Sequence, residues 1–321
     1  MVIDGHNDLV LKRWQGEEPE HVRLEDAAAA GFAGGFFALH VPSPHPDAGE
    51  HDLWSQPFAD PIPFAEAAPV ADELYDVLGS LPVRRAAAAA DFEDGVVTAV
   101  VHLEGAEAIA PDLSNLERWY ERGLRSLGLV WSRPNAFAEG VPFRFPSSPD
   151  TGPGLTGAGR ALVRACNRLG VLVDLSHLNE AGFWDVAAVS DAPLVATHSN
   201  AHAICAASRN LTDRQLRAIR DSGGVVGVNF AVTFLREDGR FLPDETTVED
   251  IVRHVDHLVD VMGIDHVAFG SDFDGAGLPT ELDGLRGLPP LVEALRSRYD
   301  DDAVAKITHG NWLRVFAATW R

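Results

Sequence analysis

The chain has 321 residues, of which 46% are hydrophobic, so it can bury a large core. Its formal net charge of −22 makes nucleic acid or an anionic membrane surface an unfavourable partner and is typical of a well-solvated protein surface. The two cysteines, Cys166 and Cys205, cannot form a disulfide framework, and no apolar run approaches the roughly 20 residues that span a bilayer.

Eight short apolar runs predict β-strands that alternate with helices along the chain. The strands are predicted at Val2–Asp8, Gly35–Val41, Val96–Glu104, Arg125–Trp131, Val171–His177, Leu194–His198, Val225–Phe230 and Val267–Asp272. Helical patterns lie between the later strands, at Gly157–Leu169, Glu180–Val189, Thr212–Asp221 and Val248–Met262. Since the first strand begins at residue 2, we expect no secretory signal peptide and a cytoplasmic protein.

This alternation favours the α/β class and, within it, a (β/α)₈ TIM barrel that forms one domain over residues 1–321. Nearly continuous hydrophobic strands are typical of a parallel sheet that is covered on both faces. Two further helical patterns, Leu291–Arg298 and Ala303–Ala318, predict a C-terminal helical cap. A doubly wound open sheet is the alternative, but no glycine-rich phosphate loop follows the first strand to support it.

Two irregular stretches rich in proline and polar residues, Pro42–Pro63 and Asn135–Pro153, predict long loops after the second and fourth strands. In a barrel, both loops would leave the C-terminal face, where long loops commonly shape a substrate pocket.

Metal-ligating side chains stand at the ends of several predicted strands. His6 and Asp8 are two residues apart, so on a strand they point to the same side. Other strands end in Glu104, His177, His198 and Asp272. Because barrel active sites are built at the C-terminal ends of the strands, we expect these groups to meet there. Three histidines and three carboxylates suit Zn²⁺ or a similar ion.

The number of these ligands predicts two metal ions. One ion needs only three of them, so five ligands and a further aspartate indicate a pair about 3.5–4 Å apart. Many such pairs are bridged by a carboxylated lysine, but Lys12 and Lys306, the two lysines of the chain, lie at no predicted strand end. By elimination, Glu104 is the best candidate for the bridge.

Short motifs containing these residues run in a fixed order over nearly the whole chain. They are Asp4-Gly5-His6-Asn7-Asp8, Gly34-Gly35, Val41-Pro42, Glu104-Gly105, Asp174-Leu175-Ser176-His177, His198-Ser199, Ala207-Ser208-Arg209-Asn210 and Asp272-Phe273-Asp274-Gly275. As a set they resemble the membrane (renal) dipeptidase family, a branch of the metal-dependent amidohydrolase superfamily.

The resemblance implies a role for each ligand. His6 and Asp8 would bind one Zn²⁺, His177 and His198 would bind the other, and Glu104 would bridge them. The two ions would lower the pKa of a shared water and produce the hydroxide that attacks the scissile carbonyl.

Two further roles follow from the same resemblance. Asp272 would accept the proton of the attacking hydroxide and deliver it to the leaving amine. Arg209 would clamp the terminal carboxylate of the substrate, a task that suits its planar, two-pronged donor.

The stretch after the fourth strand departs from the family. Mammalian members have a histidine there that contacts the substrate carbonyl, whereas this chain has Trp131, which cannot act as an acid or base. We expect Trp131 to wall the pocket, and either Asn135 or the metal to polarise the carbonyl. Ala231 and Val232 follow the seventh strand where bulkier pocket groups are expected, which favours a roomier site.

Three other polar residues are expected to lie outside the ligand set. His102 precedes Glu104 by two and is predicted to lie one layer deeper. His202 follows His198 at helical spacing, but the family pattern does not need it as a ligand. Asp274 is predicted to be a structural partner in the turn after the eighth strand.

These features predict a binuclear zinc dipeptidase that takes a small dipeptide substrate, including one with a D-residue on its C-terminal side. The alternative is an amidohydrolase acting on another amide, such as an N-acyl amino acid or a lactam. A non-catalytic metal-binding or scaffold protein is a third hypothesis, and the presence of Asp272 beside all five ligands argues against it. Members of the family are often homodimers, which makes a homodimer possible here. The sequence by itself does not define the oligomeric state.

Overall fold

Eight parallel strands close into a barrel, which confirms the predicted fold class. The structure, a computed structural model, describes residues 1–43, 50–92 and 95–321. Its strands are β1 Val2–Asn7, β2 Phe32–His40, β3 Arg84–Arg85, β4 Thr98–Glu104, β5 Leu124–Gly128, β6 Leu172–Asp174, β7 Val195–Ala196, β8 Val225–Val228 and β9 Val267–Phe269. The sheet runs in the order β2-β1-β9-β8-β7-β6-β5-β4, and pairing of β2 with β4 closes it.

The two-residue strand β3 was not predicted. It pairs with the first residues of β4, where Arg84 lies opposite Thr98, and so remains outside the closed ring.

Several strands end earlier than predicted because polar side chains replace the backbone ladder at the barrel mouth. Strand β6 ends at Asp174, where the prediction extended to His177. The Asp174 carboxylate accepts hydrogen bonds from the backbone N–H groups of Ser176 and Thr197, at 3.0 and 2.8 Å. These bonds turn the chain out of the sheet after Asp174. His177, the residue after Ser176, has a left-handed φ of 65°.

Helices cover the outside of the barrel. They are α1 Leu9–Trp14, α2 Ala27–Ala30, α3 Phe64–Ser80, α4 Leu116–Glu121, α5 Gly157–Leu169, α6 Glu180–Val189, α7 Asp213–Asp221, α8 Val232–Leu235, α9 Val248–Met262, α10 Leu288–Arg296, α11 Asp301–Ala305 and α12 Asn311–Thr319. Short 3₁₀ segments occur at Leu24–Asp26, Glu50–Ser55, Ala89–Phe92, Pro243–Glu245, Ile264–His266, Thr280–Leu282 and Gly284–Gly287. Helix α7 begins with a capping box formed by Thr212 and Gln215.

The C-terminal helices close the lower end of the barrel. Helices α11 and α12 join through a π-helical segment, Lys306–Gly310, so the last predicted helix is two helices with a wider turn between them. From α12, the indole N–H of Trp312 donates a hydrogen bond of 3.0 Å to the carbonyl of Phe269. An apolar cluster packs the barrel interior at this level: Ile3, Phe36, Val100, Leu172, Val195, Val225, Ala268, Trp312 and Phe316. This packing leaves the opposite end, at the carboxyl ends of the strands, for a site.

The two predicted loops lie at that open end. Residues 44–49 of the first loop are outside the described residues, and a 3₁₀ segment begins at Glu50. Across the described ranges, no helix combines the length and apolar character that crossing a bilayer requires.

Candidate metal centre

Glu104, the last residue of β4, lies at the centre of the predicted ligands. Its Oε1 atom is 3.1 Å from Nε2 of His177 and 3.7 Å from Nε2 of His198. Its Oε2 atom is 3.7 Å from Nε2 of His6, which lies 3.2 Å from Oδ2 of Asp8. All five side chains are buried, so the structure brings the five predicted ligands together.

Three sets of side chains among the described residues could each hold a metal ion, two of them with Glu104 and one made of His6, His198 and Asp272. His6, Asp8 and Glu104 each offer an atom within 4.8 Å of the others, and so do Glu104, His177 and His198. The two sets share Glu104. The Nε2 atoms of His177 and His198 are only 3.1 Å apart, a spacing that suits two nitrogens bound to one ion at about 2.0–2.1 Å. The residues present therefore fit a two-metal centre.

The outer nitrogens of two histidines are held by hydroxyl groups. His177 Nδ1 shares a 2.8 Å hydrogen bond with the Ser132 hydroxyl, and His198 Nδ1 shares one of 2.8 Å with Thr197. The Thr197 hydroxyl in turn donates to Asp174 Oδ2 at 2.6 Å. Such bonds fix the ring orientation and leave Nε2 of each histidine turned toward Glu104.

The electrostatic field at His6 favours a positive charge. Burial opposes the charged form of the ring, but the carboxylates of Glu104 and Asp8 outweigh it and raise the pKa of His6 to about 10. Burial likewise opposes a charged Glu104, yet the influence of His6 and His40 holds the pKa of that carboxyl well below its usual range. A buried corner that stabilises a proton this strongly is suited to a cation.

The field is different at the other two histidines. Burial, reinforced by the positive charge of Arg209, lowers the pKa of His177 to about 3. Burial and the charges of His6 and Arg209 bring the pKa of His198 well below its usual value. Both rings are therefore neutral, which is the form that binds a metal ion.

Asp272, just after β9, stands beside the two sets that share Glu104 and belongs to the third, with His6 and His198. Its Oδ2 atom accepts a 2.8 Å hydrogen bond from the side-chain amide of Asn229. Burial, with added repulsion from Asp8 and Glu104, raises the pKa of Asp272 to about 6. A carboxyl group with such a pKa can take up and release a proton near neutral pH.

The absence of a side chain at Gly275 leaves room for the carboxylates of Asp8 and Asp272 beside the backbone. A Cβ atom at Gly275 would be 2.2 Å from Asp8 Oδ2 and 2.6 Å from Asp272 Oδ1, so a larger residue would push both carboxylates away. The neighbouring Asp274 accepts hydrogen bonds from the backbone N–H groups of residues 20–22, which confirms its predicted structural role.

Above the ligands lies a cavity of about 450 Å³. Asp8, Glu104, His177 and Asp272 form part of its lining. Aromatic and apolar side chains provide much of the rest, namely Leu53, Trp131, Phe143 and Phe234. The cavity is of the size and mixed polarity of a small-molecule site.

Comparison with known proteins identifies the family. The sequence profile described as "Membrane dipeptidase (Peptidase family M19)" matches residues 1–320. The chain belongs to the membrane dipeptidase family. It is thus a metal-dependent hydrolase of the dipeptidase class, as the motifs predicted.

Two solved peptidase structures and one further protein sequence are similar to this chain. A metallo peptidase from Rhodobacter sphaeroides, liganded with a phosphinate mimic of the dipeptide L-Ala-D-Ala, is 47% identical, with a TM-score of 0.94 and 99% of each chain covered. The structure described as dipeptidase AC is 48% identical, with a TM-score of 0.93 and coverage of 99% of this chain and 98% of that one. A Klebsiella pneumoniae protein, "Uncharacterized protein in pqqA 5'region", is 53% identical over 230 residues, 71% of this chain and 84% of the relative.

The residues predicted to bind substrate occupy different places in this dipeptidase. Trp131 lines the cavity, and its ring centroid is 5.8 Å from that of His177. Arg209 is buried behind His198, donating hydrogen bonds of 2.9 Å to the Ser199 hydroxyl and to the His198 carbonyl. Its Nε atom has no hydrogen-bond partner among the described residues.

Asn135 lies away from the centre, which does not support its predicted contact with the substrate. Its side-chain amide donates to the Leu129 carbonyl at 2.8 Å, and its Oδ1 accepts the backbone N–H of Phe137 at 2.9 Å. The side chain is thus used to hold its own turn, and it borders a separate groove that includes Phe64 and Phe137.

Two histidines lie where they were expected, outside the ligand set. His102 is buried one layer below His6, its ring edge-on at 5.7 Å, and shares a 2.9 Å hydrogen bond with Ser126. His202 instead contacts the Ser147 carbonyl, at 2.9 Å.

One residue at the centre, His40, was not predicted from the sequence. It is the last residue of β2, lines the cavity, and places Nδ1 3.1 Å from Glu104 Oε2. The signal was present, because a histidine at the end of the second predicted strand satisfies the same rule that selected the other strand ends.

Proposed function

We propose that this protein is a binuclear zinc dipeptidase that hydrolyses the peptide bond of dipeptides, including those with a D-residue on the C-terminal side. The observation that carries the proposal is the pair of ligand sets that share Glu104 at the floor of a cavity of about 450 Å³. The Rhodobacter sphaeroides relative, whose ligand mimics L-Ala-D-Ala, supports the inclusion of D-residues.

The chain supplies two three-residue zinc sites. His6, Asp8 and Glu104 would hold one ion, and Glu104, His177 and His198 would hold the other. When bound, the ions supply an acidified water and a polarising charge for the scissile carbonyl.

Asp272 is the proton carrier in this proposal. Asn229 already bonds Oδ2 of Asp272, which leaves Oδ1 to take the proton from the attacking water and return it to the leaving amine. The raised pKa of Asp272, about 6, allows both transfers near neutral pH.

The cavity wall selects small substrates. Trp131, Phe143 and Phe234 offer aromatic surface to the side chains of a bound dipeptide. Arg209, whose guanidinium bonds Ser199 and the His198 carbonyl behind the cavity, would attract the terminal carboxylate through its positive charge.

The test is hydrolysis of a panel of L,L- and L,D-dipeptides and N-acyl amino acids by protein with two zinc ions bound. We expect turnover of dipeptides, loss of turnover after chelation, and recovery when zinc is restored. Absence of turnover on every dipeptide, despite two bound zinc ions, would contradict the proposal. Much faster cleavage of N-acyl amino acids would replace it with the alternative amidohydrolase activity.

A further inference from the structure

His40 contacts the Glu104 carboxylate at Oε2, whereas His177 contacts it at the other oxygen, Oε1. Strands β2 and β4 pair in parallel, with His40 in register with Glu104, so both side chains reach the barrel mouth at the same height. The distance from His40 Nδ1 to Glu104 Oε2 is 3.1 Å, equal to that from His177 Nε2 to Glu104 Oε1. Each oxygen of Glu104 therefore has one close imidazole.

We propose that His40 is a positioning residue that holds Glu104 in its bridging orientation. The inference rests on the proposed role of Glu104 as the ligand shared by two zinc ions. A bridging carboxylate must present one oxygen to each ion, and rotation about its last side-chain bond would spoil both contacts. Nδ1 of His40 lies 3.1 Å from Oε2, although not in hydrogen-bonding geometry, so the ring blocks that rotation by contact and attracts the carboxylate, as residues around a metal site commonly orient its ligands.

His40 is placed to orient the ligand and not to join it. The sets of potential ligands among the described residues include Glu104 with His6 and Asp8, or with His177 and His198, but none includes His40. Nδ1 of His40 is buried and makes no hydrogen bond among the described residues, so the part of the ring that the cavity reaches is the edge away from Glu104.

The surroundings of His40 keep its ring in place. The Trp131 ring lies against it, with 5.3 Å between the centroids. The backbone beyond it is held by Arg133, which donates a 2.6 Å hydrogen bond to the Val41 carbonyl and a 2.8 Å one to Glu107. Because Arg133 and Glu107 are fully buried, the end of β2 is fixed relative to the loops after β4 and β5.

Two substitutions at His40 separate the contact from the bulk of the ring. His40→Leu removes the polar ring nitrogen, whereas His40→Asn keeps an amide nitrogen close to the position of Nδ1. We expect His40→Leu to lower zinc affinity about 10- to 100-fold and to reduce kcat with little change in KM. Both should still bind two ions at saturating zinc, and His40→Asn should recover most of the affinity.

The measurement is chelator competition for zinc on the metal-free proteins, with kcat and KM determined at saturating zinc. His257→Leu is the matched control, because His257 makes a similar contact with a carboxylate, 2.8 Å from Asp213, between the outer helices α7 and α9. It should leave zinc affinity and kcat unchanged. Thermal unfolding of each metal-free variant shows that the fold is retained.

Each other outcome is decisive. A wild-type affinity for zinc in His40→Leu, or no recovery in His40→Asn, would overturn the positioning role. A fall from two bound ions to one would show that His40 is itself a ligand and would also overturn it. A wild-type protein that binds one ion, or cleaves no dipeptide, would instead contradict the proposed function.

Discussion

The two sides of Glu104 use the same ligand chemistry in opposite electrostatic settings. On the Oε2 side, His6 lies among carboxylates that raise its pKa to about 10. On the Oε1 side, burial and the charge of Arg209 lower the pKa of His177 to about 3. One side therefore stabilises added positive charge far more than the other does.

The supporting contacts differ in the same way. The outer nitrogens of His177 and His198 share hydrogen bonds with Ser132 and Thr197. The outer nitrogen of His6 is buried without a hydrogen-bond partner among the described residues. On the His6 side, a metal ion would therefore be stabilised mainly by the nearby carboxylate charges. On the other side, it would be bound mainly by two neutral rings that hydroxyl groups orient. If two zinc ions bind as proposed, we expect the ion at His6 and Asp8 to be held more tightly and chelation to remove the other first.

The largest effect is expected from Glu104→Ala, which removes the one ligand common to both sides. Activity should fall about 1000-fold or more, since a metal ion contributes several kcal/mol to stabilising the transition state. Zinc content, measured after dialysis, should fall below one ion per chain. Retention of one tightly bound ion would show that the two sides are independent of Glu104. Glu117→Ala, at an exposed position on α4, is the control and should retain both ions.

Asp272→Asn should give the next largest effect, a loss of about 100- to 10,000-fold in kcat, because the amide cannot carry a proton. Both ions should remain bound, since each keeps the three ligands of a set that shares Glu104, although Asp272 also lies within ligand distance of His6 and His198. Kinetics with a parallel zinc determination checks both points. Unchanged kcat would contradict the proton-carrier role, and loss of an ion would make Asp272 a ligand.

The ligands could be predicted from the sequence because strand geometry fixes them. Residues at the carboxyl ends of parallel strands must share one mouth, so His6, Asp8, Glu104, His177 and His198 could be placed together without knowing any contact. The same rule applied to the second strand would have found His40.

The substrate-facing residues could be predicted less well, because loops carry them. Asn135 follows a strand at a spacing that suited the site, but its amide is consumed by the local turn. Arg209 is buried behind His198 because of the path of a loop. A loop path cannot be predicted from the spacing of apolar residues.

Asp8→Asn tests the charge difference between the two sides directly. Removing a ligand charge on the tighter side should weaken that ion about 100-fold or more, beyond the 10- to 100-fold typical of outer-shell changes. Chelator titration would then show the two ions leaving together, or in reversed order. If the chelator still removes the ion at His177 first, the carboxylate charge is not what makes the two ions differ in affinity.

Ser132→Ala should have the smallest effect and be confined to the other side. It removes the hydroxyl that shares a 2.8 Å hydrogen bond with His177 Nδ1, so the ring loses its orienting contact but keeps its place in the ligand set. The more weakly held ion should lose about 10-fold in affinity while the tighter ion is unaffected. Ser126→Ala is the matched control, because Ser126 contacts His102 below the ligands and should change neither ion. Equal weakening of both ions by Ser132→Ala would mean that the two sides respond as one unit, and that the asymmetry in charge is not matched by an asymmetry in support.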